Sequence, residues 1–163
     1  MKRKIALLIA IILWSGVIFM FSAQSAEKSK ALSKNLAEKV VSGAKKIFGD
    51  DFFAAHEYED EGSENLLGIV THYLRKTAHF FLFFVLGIFC YLFISDFELT
   101  QKKAIVFALF YCFLYAVSDE VHQLFVPGRA GMVRDVLLDT CGSLTGMSIC
   151  MYIKKKVKNK ERE

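Results

Sequence analysis

At 163 residues the chain has room for one compact domain, expected to span 1–163. Its hydrophobic share is 54% with 16 Phe, above what a soluble domain carries, so a purely soluble globule is excluded. The formal charge of +4 is small and scattered, with no basic stripe interleaved with aromatics, which argues against nucleic acid as a partner.

The chain opens on an apolar run, 5–21 (IALLIAIILWSGVIFMF), that carries no charge. A helix with one wet face needs a polar stripe, so this run is predicted to cross a membrane. Lys2-Arg3-Lys4 before it and Ala23-Gln24-Ser25 after it also suit a signal peptide. The run is longer than a usual signal core, and cleavage would remove a packing partner from a small bundle, so retention is expected. A polar segment follows, 22–76. Over 26–48 its pattern is helical: Leu32, Leu36, Val40 and Ile47 fall near one face, and Lys28, Lys30, Lys34, Lys39, Lys45 and Lys46 line much of the rest. Ser25 suits its N-cap, Glu27 its first turn and Gly49 its end. A basic amphipathic helix beside a span either lies on the lipid surface or packs on the bundle, and the pattern leaves both open. The acidic run 56–64 (HEYEDEGSE) reads as a solvated linker without EF-hand spacing. Ser63 or Asn65 is expected to cap a helix running through Leu66, Leu67, Ile69, Val70 and Leu74 into the next span.

The second apolar run, 78–94, has one polar side chain, His79. The third, 104–117, is about 21 Å of helix, short of the roughly 30 Å hydrocarbon core. It is expected to continue through Asp119, Glu120 and His122 until Pro127-Gly128 stops it. The fourth, 136–153, carries Asp139 and is rich in Ser, Thr and Gly; the basic tail 154–160 ends it. Its Gly142 and Gly146 form a GxxxG that lets another helix approach closely. The expected fold is all-α: a four-helix transmembrane bundle with spans at about 5–21, 78–94, 104–122 and 136–153. An extra amphipathic helix belongs to the first external loop, within the polar segment 22–76. Lys2-Arg3-Lys4, Lys102-Lys103 and the basic tail then share one side, expected to be cytoplasmic. The segment 22–76 has eight Lys/Arg and nine Asp/Glu, but long loops translocate largely regardless of charge. Cys90, Cys112, Cys141 and Cys150 all sit in apolar segments, with no CxxC or Cys/His metal spacing.

This topology gathers the polar chemistry at the outer ends of the spans. The second offers Arg75, Lys76 and His79; the third Asp119, Glu120, His122 and Gln123; the loop Arg129 and Arg134; the fourth Asp135 and Asp139. Asp119 and His122 are i,i+3, and the pairs Asp135/Asp139 and Arg75/His79 are i,i+4, so each shares a helix face. Four basic groups (Arg75, Lys76, Arg129, Arg134) match four acids (Asp119, Glu120, Asp135, Asp139), which suits either a clamp for the bundle or a polar pocket open to the outer leaflet. Carboxylates paired with histidine suit acid–base work, with His79, Glu120 and His122 the catalytic candidates. The same groups also suit a metal, though without a signature of HExxH specificity; no GxSxG serine context is present, and the sequence names no cofactor.

These residues resemble the VanZ-like family. The resemblance is carried by Phe21-Ser22-Ala23-Gln24, by Arg75-Lys76-Thr77-Ala78-His79-Phe80, by Leu86-Gly87, and by Ser118-Asp119-Glu120-Val121-His122-Gln123-Leu124-Phe125-Val126-Pro127-Gly128-Arg129 followed by Asp135, Asp139, Gly142 and Gly146. It runs along most of the chain and leaves out 26–64; many members carry Asn near the position of Asp139. It implies a small bacterial membrane protein of the cell envelope, in a family associated with resistance to teicoplanin, a glycopeptide with a lipid tail. The expected function is recognition of an envelope lipid or a lipidated glycopeptide through an outer-face polar pocket. Its binding residues would be Arg75, Lys76, His79, Asp119, Glu120, His122, Gln123, Arg129, Asp135 and Asp139. The alternatives are a membrane-embedded hydrolase or transferase acting on a lipid-linked envelope substrate, and a purely structural or partner-binding membrane module.

Overall fold

The computed structural model describes residues 1–48 and 66–160. Gly49, the acidic run 56–64 and the caps expected at Ser63 and Asn65 lie outside the described residues. Among the described residues all regular structure is helical: α1 (Lys2–Ser22), α2 (Ala26–Phe48), α3 (Leu66–Ser95), α4 (Gln101–Gln123) and α5 (Val133–Lys160). Four of these, all except α2, are long and apolar enough to cross a membrane. At 30 residues α3 is about 45 Å long, roughly 15 Å more than a hydrocarbon core. Its first turns precede the apolar run that starts at Ala78, and α2 packs on α3.

The bundle has an apolar outside as well as an apolar core of Ile18, Phe83, Leu86 and Met147. Leu8, Ile12 and Leu13 of α1, Val106, Phe107 and Phe110 of α4, and Leu144 and Ile149 of α5 point outwards. Small residues point inwards: Ala104, Ala108, Cys112 and Ala116 form an i,i+4 stripe on α4. Lipid tails are as apolar as leucine, so burying a large side chain gains little there; close backbone approach and interhelical hydrogen bonds hold such helices together. Trp14 Nε1 donates to the Leu82 carbonyl at 2.8 Å, and Tyr115 Oη donates to the Ser15 carbonyl at 2.6 Å, tying α1 to α3 and α4.

The closest packing is between α3 and α5. Added Cβ atoms at Gly142 and Gly146 would collide with the carbonyl oxygens of Phe80 and Phe84, and one at Gly87 would collide with that of Ser143. Glycines on both helices therefore let the two backbones touch. Ser143 Oγ also donates to the Phe83 carbonyl at 3.1 Å. The contacts Lys76–Asp135, His79–Asp139 and Ser143–Phe83 rise together along both sequences, so α3 and α5 run parallel.

Contacts at the far end fix the termini. Arg3 pairs with Asp96 at 3.2 Å, Lys4 lies over the Phe97 ring, and Lys154 lies over the Tyr91 ring. The start of α1 and the last turns of α5 thus meet the end of α3, so both termini lie at one end of the bundle. The connections α1–α2 and α4–α5 lie at the other.

Candidate functional site

Three devices build the polar end. The first is the α3–α5 glycine interface, which draws His79 and Lys76 against Asp139 and Asp135. His79 Nδ1 lies 3.7 Å from Asp139 Oδ2, and Lys76 forms an ion pair with Asp135. The second is the last turn of α4. Asp119 Oδ2 accepts from Ser22 Oγ at 2.7 Å and from Gln123 Nε2 at 3.0 Å, joining α4 to the end of α1. Gln123 Nε2 also reaches Glu120 Oε1 at 3.3 Å. The third is the return loop to α5. Gly128 takes a left-handed conformation at φ +74°, open to glycine with least strain, and so turns the chain after Pro127. Arg129 then reaches back, its Nε donating to the Gln24 carbonyl at 2.9 Å and its Nη2 to the Phe21 carbonyl at 3.2 Å.

These contacts separate residues that the sequence groups together. Arg129, one of the four basic groups that suit an acid partner, sends its hydrogen bonds to the Phe21 carbonyl in the last turn of α1 and the Gln24 carbonyl just after it, at that helix's negative dipole end. Burial, and then the Arg75 guanidinium, lower the Arg129 pKa from its ordinary value. Glu120 Oε2 accepts from the Met132 backbone N–H at 2.8 Å, just ahead of α5, where a carboxylate also suits the positive dipole end. His122 lies against the Phe19 ring, centroids 4.4 Å apart, and its buried Nε2 has no partner among the described residues. Arg134 is exposed. Of the expected charge-balanced network, the ion pairs among the described residues are Lys76–Asp135 and the long His79–Asp139 contact.

A clamp role for Glu120 makes a definite prediction. Glu120→Gln keeps an oxygen for the Met132 N–H and should hold stability within about 1 kcal/mol, whereas Glu120→Leu should cost about 1–3 kcal/mol by orphaning that donor. Thermal unfolding of the two variants in detergent reads the difference.

The remaining residues surround a space. A polar cavity of about 210 Å³ is lined by Lys30, Arg75, Lys76, His79, Arg129, Asp135 and Asp139, among others. Asp119, Glu120 and His122 are not in that lining; Gln123 is. Beside it runs an apolar groove of about 500 Å³ between α1, α2 and α3, walled by Trp14, Leu32, Leu36, Phe81, Leu82 and Val85. Arg75, His79 and Arg129 line both, so the groove opens onto the basic side of the cavity. Among the described residues, Arg75 and Lys30 have no ion-pair partner. The groove was not legible in the sequence, because its walls come from three helices distant along the chain. Ser22 also enters the site as a donor; it stands within the Phe21–Gln24 stretch that carries the family resemblance.

No curated protein and no solved structure matches the chain. A family model described as VanZ/LLP1 matches residues 7–154, nearly its whole length. With its four helices apolar enough to span a membrane, the chain belongs to the VanZ-like family.

Proposed function

We propose that this VanZ-like protein acts in the bacterial cell envelope by recognising an amphiphile, an envelope lipid or a lipid-tailed glycopeptide, at the outer face of the cell membrane. The observation that carries the reading is the apolar groove that shares Arg75, His79 and Arg129 with a polar cavity. Val85 lies ten residues beyond Arg75, about 15 Å of helix, which is room for much of an acyl chain. An anionic head then meets Arg75 and Lys30, which have no ion-pair partner among the described residues. In this reading α2 is an external amphipathic helix whose Leu32 and Leu36 close the groove while its lysines face lipid headgroups.

The orientation that this reading needs has both termini in the cytoplasm, as three basic flanks favour. Single cysteines introduced into a cysteine-free chain should react with an impermeant reagent from outside at Ala130, and not at Lys103 or Lys160. Reaction at Lys103 from outside would reverse the topology and remove the groove from the outer leaflet.

The function is tested by drug susceptibility in cells with and without the chain. Expression should raise tolerance to a lipid-tailed glycopeptide and leave tolerance to an untailed one unchanged. An equal change for both drugs, or none for either at normal protein level, contradicts the proposal. The second reading, a hydrolase or transferase on a lipid-linked substrate, is favoured by His79 beside Asp139 in the cavity wall. It predicts turnover of a purified lipid-linked substrate that His79→Gln abolishes.

A further inference from the structure

Three helices converge beside the polar cavity, whose wall includes His79 and Asp139. His79 of α3, Asp119 of α4 and Asp139 of α5 bring one donor atom each to within 4.8 Å of one another. Asp139 is fully buried, and among the described residues neither of its carboxylate oxygens has a hydrogen-bond partner. Asp119 is 3% exposed; Ser22 and Gln123 occupy its Oδ2, and its Oδ1 has no partner among the described residues. Among the described residues, the only basic group within 4.0 Å of either acid is His79, and its 3.7 Å contact is too long for a hydrogen bond. Arg129 is committed to the Phe21 and Gln24 carbonyls, and Lys76 to Asp135. Buried carboxylates in this condition are costly until something neutralises them.

We propose that His79, Asp119 and Asp139 bind a divalent cation of the zinc or manganese kind. One imidazole nitrogen and two carboxylate oxygens are donors that such ions accept. Two carboxylates and a neutral imidazole around a charge of +2 make the site electroneutral, which a low-dielectric interior favours. Neighbouring ligands on a tetrahedral zinc ion lie about 3.3 Å apart, given metal–ligand bonds near 2.0 Å. The 3.7 Å between His79 Nδ1 and Asp139 Oδ2 is close to that spacing. The framework supports the donors: the glycine interface holds His79 against Asp139, and Ser22 with Gln123 orients Asp119. Three protein ligands leave a coordination position open, and the cavity wall includes His79 and Asp139, so water or an anionic oxygen has access to it. No local motif shows this set, since its members are 40 and 20 residues apart. The cation site does not depend on the lipid reading, and either stands if the other fails.

The test uses the full chain in lipid nanodiscs, stripped with a chelator and titrated with Zn²⁺, with Mn²⁺, and with Co²⁺ followed by visible absorption. The expected result is one ion per chain, with cobalt ligand-field bands. His79→Gln, Asp119→Asn and Asp139→Asn should each weaken binding by about 100-fold or more, since disturbing even an outer partner of a metal ligand costs 10–100-fold. Cys141→Ser, Glu38→Gln and wild type should bind alike. Absence of a stoichiometric ion on the folded wild-type chain would overturn the proposal and assign neutralisation of the acids to protons. Unchanged affinity in the ligand variants that fold would overturn it equally; if one of them does not fold, the other two decide by the same criterion.

Discussion

Gly146→Val is expected to abolish accumulation of the folded chain. The added side chain would have to occupy the space of the Phe84 carbonyl oxygen, a backbone atom that cannot rotate away. Ordinary overpacking costs about 1–3 kcal/mol because side chains adjust; here α3 and α5 must separate, so the cost should exceed that range. Separation would also pull His79 from Asp139 and Lys76 from Asp135, and would remove the Ser143–Phe83 hydrogen bond. Gly142→Leu should behave alike, since its Cβ would meet the Phe80 carbonyl oxygen. Gly16→Ala is the control: nothing lies within 4 Å of a Cβ there, and alanine is the better helix former by about 1 kcal/mol. Membrane level and thermal unfolding in detergent measure all three. A Gly146→Val chain as stable as wild type would mean that α3 and α5 do not meet as described.

The features legible in the sequence are those set by local pattern. Charge-free runs of membrane length mark helices, and GxxxG marks a face where another backbone approaches; that α3 supplies this backbone, through its own Gly87, is a fact of packing. Hydrogen-bond partners follow a different logic. Arg129 and Glu120 read as charges suited to opposite charges, yet each meets a backbone group brought beside it when the loop 124–132 closes: the Phe21 and Gln24 carbonyls for one, the Met132 N–H for the other. A sequence shows side-chain charges but not which helix ends lie beside them. Spacing placed Asp119 and His122 on one face, but three residues of helix also span a wide arc. Asp119 meets Ser22 and Gln123, while His122 rests on Phe19. The groove was invisible for a related reason: Leu32 and Leu36 carry the periodicity of a helix face, and what that face meets is decided by α1 and α3.

Arg75→Gln should leave the protein intact and remove its cellular effect. Among the described residues Arg75 has no hydrogen bond or ion pair, so its loss orphans no partner, and stability should stay within about 0.5 kcal/mol. A guanidinium bonded to an anionic head contributes about 1.5–3 kcal/mol through charge-assisted hydrogen bonds, roughly a 10- to 100-fold loss of affinity on removal. Arg75→Lys keeps the charge and loses the planar fork, so it should fall between. Tolerance to the lipid-tailed glycopeptide, measured at matched membrane levels, checks the order wild type, Lys, Gln. Equal tolerance for all three would remove Arg75 from recognition. A fall in tolerance that tracks a fall in protein level would make it structural.

The central claim, that the groove holds the tail of an amphiphile whose head meets Arg75, is tested most directly by photocrosslinking in intact cells. A photoreactive residue at Leu36, in the groove wall, is compared with one at Val106, on the exposed apolar face of α4. Leu36 should capture one anionic lipid class, or the tailed glycopeptide when it is supplied, and Arg75→Gln should abolish this capture. Val106 should capture bulk lipid whether or not Arg75 is present. Identical lipid profiles at both positions, unaffected by Arg75→Gln, would contradict it.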